Sequence, residues 1–225
     1  MNRYVWNLRY QDPEQVPGAF YSDDGPRGPL IAPGDYQVRL TVGEVHQTVP
    51  LRVAADPRQH VPEDAFTKQL ALELEVRDRI TQLHRAVNEI RDLKSQIDSL
   101  HHRFANNQEM HQALDVTKNL KEKVSAVEEQ LIQVNMKGSE ANLAFPNMLN
   151  EQLDAFSHTI DQADAVPTAS QYDVFRMLSA KLDEQLGTWA HIQKDELLAV
   201  NNLVRASQIP VLNVQDEESE AANGK

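Results

Sequence analysis

Cysteine is absent from all 225 residues. Its absence removes disulfides, thiolate nucleophiles, zinc fingers and iron–sulfur clusters together. It leaves the compartment open, because many exported bacterial proteins also lack cysteine. No run of roughly 18 apolar residues occurs, so no membrane span is expected. Met1 is followed by Asn-Arg-Tyr-Val-Trp and not by a basic and then apolar leader, so no export signal is visible. Positive charge is also scarce. Lys and Arg number 22 against 34 Asp and Glu, a net charge of −12, and phosphate binding needs clustered cations to displace counterions, so nucleic acid is not an expected partner. The one basic cluster, Lys118, Lys121 and Lys123, is interrupted by Glu122 and reads as a solvated helix face. A Gly-rich phosphate loop and a G-x-S-x-G elbow are missing as well.

What is present changes character at Asp56-Pro57. Residues 1–57 are strand-like and rich in Pro, Gly and aromatics, residues 58–210 read as a helical bundle, and residues 211–225 are polar and acidic, a composition that predicts a disordered tail. The first part is too short to stand alone. About 55 residues without disulfide or metal bury too little surface for a secure fold, so the chain reads as the end of a larger protein.

Within that part, Tyr4-Val5-Trp6-Asn7-Leu8-Arg9-Tyr10 alternates and predicts a half-buried strand with Tyr4, Trp6, Leu8 and Tyr10 on one face. Residues 12–33 are dense in Pro, Gly and Asp and predict a loop long enough to bind a ligand or cover a neighbour. After Pro33-Gly34, residues 35–42 alternate with Tyr36, Val38, Leu40 and Val42 facing one way. Gly43-Glu44 reverses the chain, and residues 47–53 pair back, with Pro50 suited to an edge or bulge. These strands suit the closing hairpin of an immunoglobulin-like sandwich, whose opening strands this chain lacks.

The helical part is clearly punctuated. A first helix is expected over 63–105, its apolar stripe running through Ile80, Leu83, Val87, Ile90, Leu93, Ile97, Leu100 and Phe104. Asn106-Asn107 reverses it. A second helix carries Met110, Leu114, Thr117, Leu120, Val124, Val127, Leu131 and Val134, closing at Lys137-Gly138, so the two zip antiparallel. A third starts at Pro146 and closes before Pro167. A fourth starts at the capping-box spacing Thr168-Ala-Ser-Gln171, carries Tyr172, Phe175, Leu178, Leu182, Leu186, Trp189, Val200 and Leu203, has Gly187 as a weak point and ends near Pro210. The expected fold is therefore mainly α: an antiparallel bundle of about four helices with a small antiparallel β segment in front.

Candidate chemistry is thin. His101, His102 and His111 flank a turn, but di-metal bundles use inward Glu residues and Glu-x-x-His steps, and the nearest match here is a single Asp98-x-x-His101, so no metal is expected. Asp23-Asp24 and Glu128-Glu129 are adjacent and point apart, unlike an acid/base dyad. Ser157-His158 face different directions on a helix. No catalytic, cofactor-binding or metal residue is assigned. The residues expected to matter are Arg3, Trp6, Arg9 and Tyr10, an aromatic and Arg cluster that reads as a contact patch or as core between the β segment and the bundle.

Asn2-Arg-Tyr-Val-Trp-Asn-Leu-Arg-Tyr10, Pro17-Gly18, Arg27-Gly28-Pro29, Pro33-Gly-Asp-Tyr-Gln-Val-Arg-Leu40, Ala55-Asp-Pro-Arg58 and, in the helices, Pro167-Thr168, Val174-Phe175, Leu178-Ser179 and Lys181-Leu182-Asp183 resemble the C-terminal region of large bacterial sortilin-like β-propeller proteins. These carry BNR (Asp-box) repeats and are often labelled glycosyl hydrolases. The likeness spans most of residues 2–206. It implies an immunoglobulin-like end followed by a helical region, with the parent propeller domain or another protein as partner and an extracytoplasmic setting. Every propeller blade and Asp-box is absent, so no ligand residue carries over. The expected function is a non-catalytic accessory module acting by surface complementarity. The alternatives are a self-associating helical scaffold and a fragment of a hydrolase-like protein whose catalytic part lies elsewhere.

Overall fold

A computed structural model of the chain describes residues 3–21, 24–138, 140, 143–206 and 212. It is mainly helical, with one small antiparallel sheet near the N-terminus. Strands β1 (Gly34–Val42) and β2 (Val45–Val53) form a two-stranded hairpin in which Val42 faces Val45 and Gly34 faces Val53. Its reversal is the two residues Gly43-Glu44, with Gly43 at φ 59°. A positive φ at the first central position only is the signature of a II′ turn, where Gly is the natural residue.

Helix α1 (Glu63–Phe104) is the spine of the bundle. Its stripe Ile80, Leu83, Val87, Ile90, Leu93, Ile97 and Leu100 is buried throughout, because α2 (His111–Leu131), α3 (Leu149–Asp161) and α4 (Ala169–His191) all pack on it. Between α1 and α2 the chain turns through a 3₁₀ segment, Gln108–Met110. α2 stops six residues earlier than its Lys137-Gly138 punctuation predicts, at Leu131. Ile132 there leaves the helical region at φ −141° and ψ 148°, and Ile132 and Met136 stay buried beyond the helix, where the Met136 N–H donates to Gln133 O at 3.4 Å across a turn.

α3 starts at Leu149, three residues past Pro146, with Glu151 Oε2 accepting from the Met148 N–H at 2.8 Å. α4 begins as its sequence predicts: Thr168 Oγ1 accepts from the Gln171 N–H at 3.2 Å and Gln171 Oε1 accepts from the Thr168 N–H at 2.8 Å, a reciprocal capping box. The fourth helix is not one regular element. It passes through a π turn at Ile192–Glu196 into α5 (Leu197–Ala206), while Gly187 sits inside regular helix. Phe156 of α3 and Phe175 of α4 stack with centroids 6.5 Å apart.

The expected first strand is not formed. Residues 3–10 make one isolated antiparallel bridge, Arg9 with Leu30, in which the Tyr10 N–H donates to Pro29 O and the Ile31 N–H to Leu8 O, each at 2.9 Å. The cause is local. Leu8 takes φ 59°, which turns the chain out of the pleat, and the Asn7 side chain accepts the Arg9 N–H at 3.1 Å. Most of the predicted acidic tail lies outside the described residues. Leu212 is described; it is buried, its backbone N–H and C=O both held by the Asn201 side chain at 2.8 and 2.7 Å. Pro210, the predicted end of the fourth helix, lies outside the described residues.

Candidate functional site

Among the described residues, the features beyond the core include the hairpin and a polar seam where the N-terminal segment crosses the bundle. The seam begins at Arg9. Its guanidinium donates to Asp161 of α3 at 2.7 Å and to Gly28 O at 2.9 Å, tying segment, loop and bundle together. Gly28 is forced by this approach, because a Cβ there would lie 2.0 Å from Tyr10 O. Its N–H donates to Asp12 Oδ1 at 2.8 Å.

Below Arg9 lies a cavity of about 120 Å³ lined by Arg27, Glu73, Arg77, Ser157 and His158 among others. Metabolite sites usually occupy about 300–1,000 Å³, so this one is suited to a few waters and not to a substrate. Glu73 is buried there and takes a hydrogen bond from Gln69 Nε2 at 3.0 Å. Burial pushes its carboxyl up to about 7, the Gln69 bond opposing and the nearby Asp161 charge adding. Gln69 also donates to Ile160 O at 3.2 Å and accepts from the Ala165 N–H, so the pair stitches α1 to the end of α3.

From Asp12 to Tyr21 the loop runs as a strap over α1. Glu14 accepts from Arg85 at 2.9 Å and from Asn88 at 3.0 Å, Asn88 also donates to Gln15 O, and Arg91 donates to Pro17 O at 3.0 Å. Val16 enters the core. Beneath the strap, His84 and Asn150 are fully buried. The His84 imidazole bonds Glu14 O through Nδ1 and Asn150 Oδ1 through Nε2, and the Tyr21 hydroxyl sits 3.3 Å from His84 Nε2 and from Asn150 Oδ1. Desolvation raises the Tyr21 phenol to about 12, the Asn150 bond opposing it. These groups are committed to one another in a structural arrangement that ties the strap to α1 and α3.

Of the four predicted site residues, Arg9 alone grips the bundle. Arg3 is exposed. Trp6 is 37% exposed with its indole N–H donating to Arg9 O at 2.9 Å, and Tyr10 is 38% exposed. Trp6 therefore does not fill the core; Trp189 does, its N–H donating to Glu89 at 2.8 Å. Ser157 donates to Asp154 O and His101 bonds Thr117 Oγ1, and among the described residues no group of three metal-ligating side chains forms. No helix among the described residues is long and apolar enough to cross a membrane.

The hairpin is the other feature. Its register puts Tyr36 across from Leu51, Val38 from Val49, Leu40 from Gln47 and Val42 from Val45 on one face, with Asp35 across from Arg52 and Arg39 from Thr48 on the other. The apolar face is uncovered: Val38 is 45% exposed, Leu40 65%, Val42 69% and Val45 75%. Among the described residues no helix makes more than a marginal contact with either strand, and no hairpin residue belongs to the buried core. Only its base is shielded, where the Tyr36 hydroxyl donates to Ala32 O at 2.6 Å.

Comparison with known proteins gives no relative: no family model matches the chain, and neither do the curated proteins or the solved structures.

Proposed function

We propose that this chain is a non-catalytic accessory module that acts by protein–protein contact, presenting its hairpin to the β-structure of a larger protein of the sortilin-like, BNR-repeat kind. The observation that supports it is the bare apolar face of β1 and β2. Soluble monomers rarely leave a contiguous apolar patch on a projecting element without a partner for it, and a two-stranded hairpin by itself is marginal in water. Two further observations agree with this reading. The helical stripe of α1 is satisfied within one chain, and the polar groups of the seam are spent on holding the strap.

The test is association with the propeller and immunoglobulin-like portion of a sortilin-like protein from the same genome, measured by titration calorimetry. Binding that is lost in Leu40→Asp, with the melting temperature within a degree or two of the parent, is the expected result. Absence of binding, or binding indifferent to Leu40→Asp, overturns the reading.

A further inference from the structure

The hairpin carries information about its edges as well as its face. A two-residue reversal makes Val42 and Val45 a hydrogen-bonded pair, and the pattern alternates from there. The backbone groups of Tyr36, Val38 and Leu40 are thus spent inside the hairpin, while those of Asp35, Gln37, Arg39 and Thr41 point outward from β1. On β2 the outward positions are His46, Thr48, Pro50 and Arg52. Pro50 has no N–H to offer, so the outer edge of β2 is interrupted at its middle and the outer edge of β1 is not.

We propose that two copies of this chain join antiparallel through the outer edges of β1, about a two-fold axis at Gln37. The side chains select this register. An antiparallel two-fold pairing must bring outward-pointing residues together, and centring it on Gln37 sets Asp35 across from the partner copy's Arg39, and Arg39 across from its Asp35. The same register places Tyr36 beside the other copy's Val38, an aromatic and β-branched pair of the kind that stabilises neighbouring strands. Moving the centre to Arg39 sets Arg against Arg, and a centre at Val38 leaves both charges without an opposite.

Charge at the level of the whole chain points to the same place. The molecule carries −12, which opposes self-association in general, yet residues 34–53 hold two acids, Asp35 and Glu44, and two bases, Arg39 and Arg52. The hairpin is a locally neutral arm on an acidic body, where two copies approach with least repulsion. Because Pro50 interrupts the other edge, the contact closes at two copies and does not propagate. The axis is perpendicular to the sheet, so both apolar faces lie on one side and form a four-stranded platform. The edge contact does not depend on what covers that face, and it goes beyond the docking reading above.

Sedimentation equilibrium of the full chain tests the pairing. The parent protein is expected to move from 25.5 kDa toward twice that mass as concentration rises. Asp35→Arg and Arg39→Asp each place two like-charged pairs in their own dimers and are expected to stay at monomer mass over the same range. An equimolar mixture of the two variants matches every charge in a mixed pair and is expected to regain the dimer mass. Misfolding cannot mimic that recovery. A parent that stays monomeric at all concentrations, a dimer unaffected by either substitution, or a mixture that stays monomeric overturns the proposal, and none of these results touches the docking test with Leu40→Asp.

Discussion

Two residues under the N-terminal segment concentrate what single positions contribute. Glu73 is a buried acid whose carboxyl titrates near 7 against 4.5 for the free group, chiefly through desolvation. A raised carboxyl favours folding while it is protonated, so its contribution is fully present below about pH 4.5 and is lost as pH rises through 7. Glu73→Gln keeps an acceptor for Gln69 and removes the titration. The variant is expected to show a flatter stability profile between pH 4.5 and 7 and to be more stable than the parent at pH 8, by up to about 3 kcal/mol, as read from urea midpoints at each pH. Gly28 acts through space. A methyl group there meets Tyr10 O, so Gly28→Ala is expected to push the bridge apart, free Arg9 from its carbonyl and cost about 1–3 kcal/mol. Hydrogen exchange at the Tyr10 and Ile31 amides checks it, since both protections should fall together.

Elements were legible in the sequence in proportion to how local their causes are. The capping box at Thr168 and Gln171 is a three-residue pattern, and it sets the start of α4 as spaced. Thr168→Ala is expected to cost about 1 kcal/mol, measurable by thermal unfolding, with the loss confined to the first turn of α4. The α1 stripe was equally readable, since steps of three and four repeat along it. The hairpin followed from alternation around Gly43-Glu44. The π turn carries a signal that the three/four pattern passes over: from Ile192 to Leu197, both buried, the apolar step is five. The first strand failed because alternation reports side-chain pattern and says nothing of the left-handed φ at Leu8. The seam was legible only at Arg9. Its other members, His84, Asn150, Tyr21 and Glu73, come from three separate stretches that meet only after the helices pack, and a buried histidine or glutamate inside a helical period looks like any other polar position.

At the scale of the molecule, the parts differ in what they depend on. The bundle closes its own core, with Val16 entering from the strap and Leu212 covering α5 through Asn201. The hairpin adds nothing to that core, so its substitutions are expected to move association and leave stability nearly still, the opposite of changes at Glu73 or Gly28. The strap has another consequence, one of time. Arg9 waits for Asp161, 152 residues later in the chain, and Tyr21 waits for Asn150, 129 residues later. At about 5–20 residues per second, roughly 8–30 s separate the synthesis of Arg9 from that of Asp161. Val16 has no core to enter until α1 is made, and Tyr21 lacks Asn150 until α3 follows. The strap is thus among the last parts of this chain to find its place.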